Sequence, residues 1–376
     1  LEALAAAAPQ WLASRVDAGW VDRYGARIDS YRFPKGEDKR ARWAEQVGRD
    51  GFTILDAVAA TGAPAWLREI PAVQVLAQAW EQQYHRDGGE VCWREGKDLP
   101  PSRDRLASPY DTHARYGLKR ATGWCGYKIH VSETCDPCAP HVITHVATTD
   151  ATINDTEMTE AVHQGLAARR LLPDEHVVDA GYVTAAHIVA ARERNVDLLG
   201  PVGLDTHQGE HFPQNAFRID WQAKTVTCPD GKASASWSGQ RKSNGTPVTR
   251  VHFAARDCAS CPARAKCTTA ANGKWGRSLT LLPADQQQVL ETRRREQTTE
   301  LWQQRYHIRA GVEATISQTV RRTGIRRTRY TGKDKTHLGH LFAAAAVNII
   351  RIDAWLTGTP FGRTRTSHLA RLELAT

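Results

Sequence analysis

Residues 176–182 read His176-Val177-Val178-Asp179-Ala180-Gly181-Tyr182, a short apolar run that ends in a carboxylate and a glycine turn. A helical pattern follows over 184–194, and a second apolar run covers 196–202. Strands that alternate with helices are typical of α/β sheets. A carboxylate at the end of a strand, beside a glycine turn, is also well placed for a functional site. We therefore predict an α/β fold with Asp179 as a candidate site residue.

The segments on either side of this stretch differ from it in character. Two runs rich in strand-forming residues, 124–131 and 141–149, predict a hairpin joined by a proline-rich loop. After Pro283 the chain has few helix breakers, and its pattern predicts helices over 284–322 and 338–356. The predicted organisation is a helical region over 1–107, the first part of an α/β core over 108–204, an inserted β-rich cysteine module over 205–283, and a C-terminal helical part of the core over 284–376.

The composition excludes several classes of protein. The chain has 376 residues, of which 41% are hydrophobic, so it is long enough to bury a sizeable core. The longest apolar run, Leu341 to Ile350, is too short to span a membrane, and the N-terminus has no secretory signal. The eight cysteines fit a reducing cytosol better than a disulfide scaffold, which predicts a cytoplasmic protein. The first residue is Leu1 rather than Met, so we expect an N-terminally truncated fragment.

The net charge of +9 predicts a polyanionic partner. Much of this surplus positive charge lies between Glu291 and Lys335, a segment that contains twelve basic and five acidic residues. Within this segment Tyr306-x2-Arg309-x3-Glu313 has helical spacing, which predicts that the three side chains share one stripe of a helix. Arg309 is then a candidate phosphate ligand and Glu313 a candidate metal ligand. The alternative is an ordinary surface ion pair between Arg309 and Glu313.

A second basic run follows this triad directly. We predict that these residues contact DNA phosphate groups, with Tyr330 lying among them. They are Arg321, Arg322, Arg326, Arg327, Arg329 and Lys335.

Two motifs resemble one known family in the order expected for it. The first is Val178-Asp179-Ala180-Gly181-Tyr182, and the second is the run Arg309-Ala310-Gly311-Val312-Glu313-Ala314-Thr315-Ile316-Ser317-Gln318 with its continuation to Asn348. Together they resemble the regions of the second and third catalytic carboxylates in bacterial insertion-sequence DDE transposases. The chain also resembles their tyrosine-arginine-glutamate-lysine signature, but Val320 stands where that signature has lysine.

The resemblance implies a ribonuclease-H-like fold, with a mixed sheet and flanking helices. It implies Asp179 and Glu313 as catalytic ligands of two Mg2+ ions, DNA as substrate (the element's terminal inverted repeats and the target), and a homo-oligomer on DNA. The family's first aspartate has no convincing match, so we expect it upstream of Leu1. Asp111 is the only internal substitute, whereas Asp150 and Asp155 are interpreted as turn or helix-cap residues.

The cysteine module allows two interpretations. Four thiols in a turn-rich β module are compatible with a tetrahedral structural Zn2+, and the alternative is four unligated thiols. The residues concerned are Cys228, Cys258, Cys261 and Cys267. A second half-site at Cys135-x2-Cys138 is the weaker possibility.

Three functions stay open on the sequence. The first is a DDE transposase that cleaves DNA and transfers strands at element ends. The second is a catalytically inert, DNA-binding remnant of one. The third is a zinc-dependent nucleic-acid-binding protein unrelated to transposition, and it leaves Asp179 and Glu313 without a role.

Overall fold

A computed structural model describes residues 1–25, 34–205, 211–268 and 274–359. This part contains both helices and strands, which confirms the mixed α/β class. None of its helices is long and apolar enough to cross a membrane. The chain divides into two compact units, each built from several segments.

The first unit comprises Leu1–His130, Val146–Ile153 and Ile325–Ala343. The described residues of its N-terminal part are mainly helical up to Gln83, as predicted. Trp20, Ile54 and Leu67 lie in the core of this helical part, and each is at most 8% exposed. The helices are α1 (Glu2–Ala7), α2 (Pro9–Ala13), α3 (Ala18–Tyr24), α4 (Glu37–Ala59) and α5 (Pro71–Gln83).

A hairpin follows α5 that the helical prediction for 1–107 missed. Strands β1 (Tyr84–Asp87) and β2 (Glu90–Trp93) pair antiparallel through a two-residue turn. Gly88 and Gly89 both have positive φ, 55° and 92°, as the favoured two-residue hairpin turn requires. The Gly-Gly pair was therefore the local signal for this hairpin.

A three-stranded antiparallel sheet contains the predicted hairpin. Its strands are β3 (Arg115–Lys119), β4 (Thr122–Glu133) and β5 (Ile143–Asp150), in that order across the sheet. Strand β4 extends the predicted run 124–131 by two residues at each end. Strand β5 starts two residues later and ends one residue later than the predicted run 141–149, and β3 was not predicted. Thr134 and Val142 continue the pairing beyond β4, where the Thr134 N–H donates to the Val142 carbonyl at 2.9 Å.

The second unit comprises Val131–His145, Asn154–Gly324 and the chain from Ala344. It contains the predicted alternation of helices and strands: α6 (Thr159–Ala168), β6 (Glu175–Val177), α7 (Ala185–Arg192) and β7 (Asp197–Leu199). Strands β6 and β7 pair parallel, with His176 opposite Leu198. Val178, Ile188 and Val196 lie in the core that α7 shares with these strands, which fixes the chain immediately before Asp179.

The β-rich module also belongs to the second unit. It consists of β8 (Arg218–Asp220), β9 (Thr225–Thr227), β10 (Ser236–Arg241), β11 (Pro247–His252), α8 (Ala255–Ala259) and β12 (Ser278–Leu281). Strands β10, β11 and β12 form one antiparallel sheet, and β8 pairs with β9. Thus the strands of the described residues form several small sheets, and the single mixed sheet of a ribonuclease-H-like fold remains a prediction.

The predicted single helix over 284–322 is wrong, because the chain forms three helices there. They are α9 (Ala284–Glu296), α10 (Glu300–His307) and α11 (Ala310–Thr323), and the last long helix is α12 (Lys333–Leu356). Thr299 starts α10, where its side-chain oxygen accepts from the Trp302 N–H at 3.3 Å. Gly324 ends α11 in the left-handed conformation, with φ of 63°.

Candidate active site

Asp179 lies two residues after the end of β6 and caps the short 3₁₀ helix Ala180–Tyr182. Its Oδ1 accepts a hydrogen bond from the Ala180 N–H at 3.1 Å, which orients the carboxylate. Its Oδ2 accepts from Nη2 of Arg309, also at 3.1 Å. The side chain is 52% exposed, so solvent and ligands can reach it.

Arg309 connects this carboxylate to a second one. The residue precedes α11, and Glu313 lies in the first turn of that helix. Nη1 of Arg309 is 2.9 Å from Oε1 of Glu313, whose side chain is 61% exposed. The structure therefore brings Asp179, Arg309 and Glu313 together, although 130 positions separate Asp179 from Arg309. The guanidinium offsets the repulsion between two nearby carboxylates.

Tyr306 reaches the same site from a different helix. It lies on α10 and stacks on Trp302, with ring centroids 4.8 Å apart. The predicted single stripe of Tyr306, Arg309 and Glu313 is therefore wrong, because the chain leaves the helix between His307 and Ala310. Burial, and then the nearby Asp179 carboxylate, raise the pKa of Tyr306, so its hydroxyl stays protonated at neutral pH.

A third acidic residue, Asp155, lies near this site, although the sequence had not indicated a role for it there. A Cβ built on Gly181 would be 3.1 Å from Oδ2 of Asp155, so the glycine permits this close approach. Burial, then Asp155 and Asp179, raise the pKa of Tyr182. Asp155 is not a cap, because Asn154 and Glu157 form the capping box there. By contrast, Asp150 has the expected turn role and accepts from the Thr152 N–H at 2.8 Å.

A buried network behind Glu313 was also missed. Nη1 of Arg351 is 2.8 Å from Oε2 of Glu133, and the two side chains are only 10% and 7% exposed. Nη2 of Arg351 donates to the Thr315 hydroxyl at 2.6 Å, and the Thr315 hydroxyl donates to Glu133. Thr315 lies two residues after Glu313, so this network fixes the helix turn that carries the candidate ligand.

Asn348, the last residue of the resemblance, has a structural role. Its side chain accepts from the Ile143 N–H at 2.7 Å and donates to the Ile143 carbonyl at 2.9 Å. The carboxamide thus pairs with the backbone of β5 as a neighbouring strand would. An asparagine on α12 therefore satisfies strand groups that would otherwise lack a protein partner.

Asp111 lies in the first unit, and its carboxylate is fully engaged. Oδ2 accepts from the Gly332 N–H at 2.8 Å, and Oδ1 accepts from the Tyr127 hydroxyl at 2.7 Å and from the backbone of His113 and Ala114. Burial alone would raise the pKa of Asp111, but these hydrogen bonds outweigh it and lower the pKa. The geometry makes Asp111 an anchor for the loop that ends at Gly332.

The predicted phosphate-binding residues are exposed. Arg321 and Arg322 end α11 in the second unit, and the other four lie between Ile325 and Lys335 in the first. Within the described ranges, none of the six has an acidic partner. Other arginines of the basic segment are neutralised: Arg293 pairs with Asp197, and Arg305 pairs with Glu175 and Asp197. Val320, where the signature has lysine, is half-buried on α11.

The four cysteines of the β-rich module line one cavity. Cys138 of the second predicted half-site is exposed, and its N–H donates to the Asp136 side chain in a turn. In the part of the chain that the structure describes, no three His, Cys, Asp or Glu side chains are arranged to hold a metal ion.

The structure thus groups two exposed carboxylates, joined by one arginine, with a tyrosine of the preceding helix. Residues 227–353 match the family described as "Transposase DDE domain". Over this segment the chain is similar to transposase DDE domains, which supports the resemblance that its sequence motifs indicate. The match includes Arg309, Glu313 and the four cysteines of the β-rich module, and Asp179 lies outside it. No curated protein and no solved structure matches the chain.

Proposed function

We propose that this chain cleaves and joins DNA at the ends of a bacterial insertion element, with Asp179 and Glu313 as its catalytic carboxylates. The observation that carries the proposal is the bridge that Arg309 makes between them, at 3.1 Å and 2.9 Å. An isolated surface pair between Arg309 and Glu313 would not include a carboxylate from a distant strand end. The DDE-domain match over Glu313 supports the same assignment.

The donor set suits magnesium. Mg2+ binds through one or two carboxylates and keeps its other positions for water and substrate phosphate oxygens. Asp179 and Glu313 supply such oxygens and are open to solvent. A metal ion held by these residues would activate the attacking water or the 3′-hydroxyl of the DNA and would stabilise the leaving oxygen. The second of the two ions that we propose needs a further acidic ligand.

The chain's own residues prepare the phosphate for attack. Arg309 has five N–H donors in a planar fork, so it can exchange its carboxylate partners for phosphate oxygens. The protonated hydroxyl of Tyr306 donates a hydrogen bond to the same anion. Substrate binding at this position would leave Asp179 and Glu313 free for the cation, because the arginine charge moves to the phosphate. We propose that the protein acts on paired element ends as a homo-oligomer associated with DNA in the cytoplasm.

The alternative is an inert DNA-binding transposase remnant. It is favoured by the absence, within the described ranges, of a third acidic side chain grouped with Asp179 and Glu313 for metal binding. Both functions retain the exposed arginines, so binding alone does not separate them. Cleavage does.

The test is a strand-cleavage assay on DNA that carries the element's terminal repeats. The protein should nick this DNA with Mg2+ and not with EDTA. Asp179→Asn and Glu313→Gln should each reduce cleavage at least about 100-fold and leave DNA affinity nearly unchanged. Glu300→Gln is the matched control, because it removes an exposed first-turn carboxylate from the neighbouring helix α10.

Each result selects one function. Unchanged cleavage in Glu313→Gln would remove Glu313 from the mechanism. DNA binding by the wild-type chain without any Mg2+-dependent cleavage would establish the inert alternative.

A further inference from the structure

The β-rich module has a small hydrophobic core. Its buried apolar residues are Phe217, Val226, Val251, Phe253, Leu279 and Leu281. Cys228, Cys258 and Cys267 pack against this cluster. Modules below about 70–80 residues rarely reach useful stability from one such core and are commonly held together by disulfides or a structural metal. The described cysteines are all free thiols, so no disulfide has this role.

The four thiols line one cavity and come from three separate segments of the module. Cys228 follows β9 in a tight turn, where the Gly231 N–H donates to its carbonyl at 2.9 Å. Cys258 lies on α8, and the Cys261 N–H donates to the Cys258 carbonyl at 3.4 Å. Cys267 follows a short 3₁₀ helix. Three segments of the chain therefore meet at the cavity. A single metal ion bound to all three would cross-link them and so stabilise the module.

Backbone N–H groups point at two of the sulfur atoms. The Lys232 N–H donates to Sγ of Cys228 at 3.3 Å, and the Arg277 N–H donates to Sγ of Cys258 at 3.5 Å. In a metal complex, N–H groups placed in this way would donate to the ligating sulfur atoms and orient them. They come from the backbone and therefore do not depend on side-chain identity.

The cavity is also lined by positive charge. Lys232, Arg264 and Arg277 border it together with one acidic residue, Asp257. Arg277 is only 8% exposed, and within the described chain its Nε is buried without a hydrogen-bond partner. A buried cation with an unpaired donor is costly unless an anion lies beside it. A divalent ion held by four thiolates carries two net negative charges, and it would compensate this arginine.

We infer that the module holds one tetrahedral structural Zn2+ through its four cysteine thiolates: Cys228, Cys258, Cys261 and Cys267. Zinc prefers this ligand set and needs no open coordination position in a structural role. The sulfur atoms lie on the wall of the cavity, so binding draws them inwards and releases the thiol protons.

The test measures zinc by mass spectrometry in the full chain, purified under reducing conditions without chelator. The wild-type protein should carry about one zinc per chain. The double variant Cys228→Ser/Cys258→Ser should lose it. The matched control is Cys135→Ser/Cys138→Ser, which removes the other closely spaced cysteine pair and should retain the metal.

Misfolding of the serine variant leaves the proposal testable on the wild-type chain. After chelation, Co2+ should produce the absorption of a tetrahedral thiolate complex, and zinc should restore the midpoint of urea unfolding. Wild-type protein without zinc and without a cobalt spectrum would overturn the inference. Zinc retained by the double variant, or disulfides among the four cysteines, would do the same. None of these measurements uses DNA, so their outcome is independent of the proposed catalytic activity.

Discussion

At the scale of single residues, substitution of Arg309 can distinguish a catalytic role of this side chain from a structural one. Its two ion pairs lie at an open surface, where such pairs contribute about 0–1 kcal/mol to stability. Arg309→Ala should therefore leave the urea-unfolding midpoint nearly unchanged. If the guanidinium binds the reacting phosphate, the same substitution should reduce Mg2+-dependent cleavage by about 100-fold, as measured by single-turnover kinetics.

Arg309→Lys is the informative companion variant. Lysine retains the charge but lacks the planar fork that bridges two anions. Its cleavage rate should fall between those of the wild type and Arg309→Ala. A large loss of stability in Arg309→Ala, with unchanged cleavage of the remaining folded protein, would mean that the bridge is structural.

Individual residues were predictable from the sequence where the signal was local. Arg309 and Glu313 are four positions apart, and Asp179 precedes a glycine turn, so short motifs identified them. Glu133 has no such signal, because its partners Thr315 and Arg351 are 182 and 218 positions away. Asp155 was misassigned for a related reason: its neighbour Asn154 forms the cap, and the approach to Gly181 depends on the tertiary fold.

At the scale of elements, the Glu133–Arg351–Thr315 network fixes α11 and α12 to the end of β4. Removing one partner of a buried ion pair leaves an uncompensated charge, which costs about 3–5 kcal/mol. Glu133→Gln should therefore lower the free energy of unfolding by an amount in this range, as measured by urea titration. The control Arg305→Ala breaks a half-exposed pair with Glu175 and should cost no more than about 1 kcal/mol.

The double variant Glu133→Leu/Arg351→Met tests the cause of that loss. Replacing both charges removes the uncompensated one, so stability should recover above that of Glu133→Gln. Equal losses in Glu133→Gln and Arg305→Ala would show that the network does not support α11.

Some boundaries of helices and strands could be predicted from the periodicity of apolar residues, and others could not. The β6–α7–β7 alternation was predictable because each element has its own apolar pattern and a turn at each end. The breaks after α9 and α10 were not, because Thr298-Thr299 and Ile308-Arg309 are all tolerated inside helices. There the capping hydrogen bond of Thr299 prevails over weak helix propensity.

At the scale of the whole molecule, the net charge of +9 does not show which basic side chains are available to bind DNA. Arg293 and Arg305 contribute to the basic count of the segment 291–335, but the fold pairs them with acidic side chains. Among the described residues, Arg326 and Arg327 have no such partner, and they lie in a loop whose end is anchored by the hydrogen bond from Gly332 to Asp111. Unpaired, exposed arginines presented from a fixed loop are the groups that can displace counterions from DNA.

This distribution predicts a specific salt dependence. Each phosphate contact contributes about 0.9 to the slope of log affinity against log salt concentration. Arg326→Ala/Arg327→Ala should therefore flatten that slope by about 2 in fluorescence anisotropy with duplex DNA. The control Lys39→Ala/Arg40→Ala removes the same charge from exposed positions on α4, so it should change the slope far less. Equal changes in both variants would mean that net charge, rather than contact by this loop, determines DNA affinity.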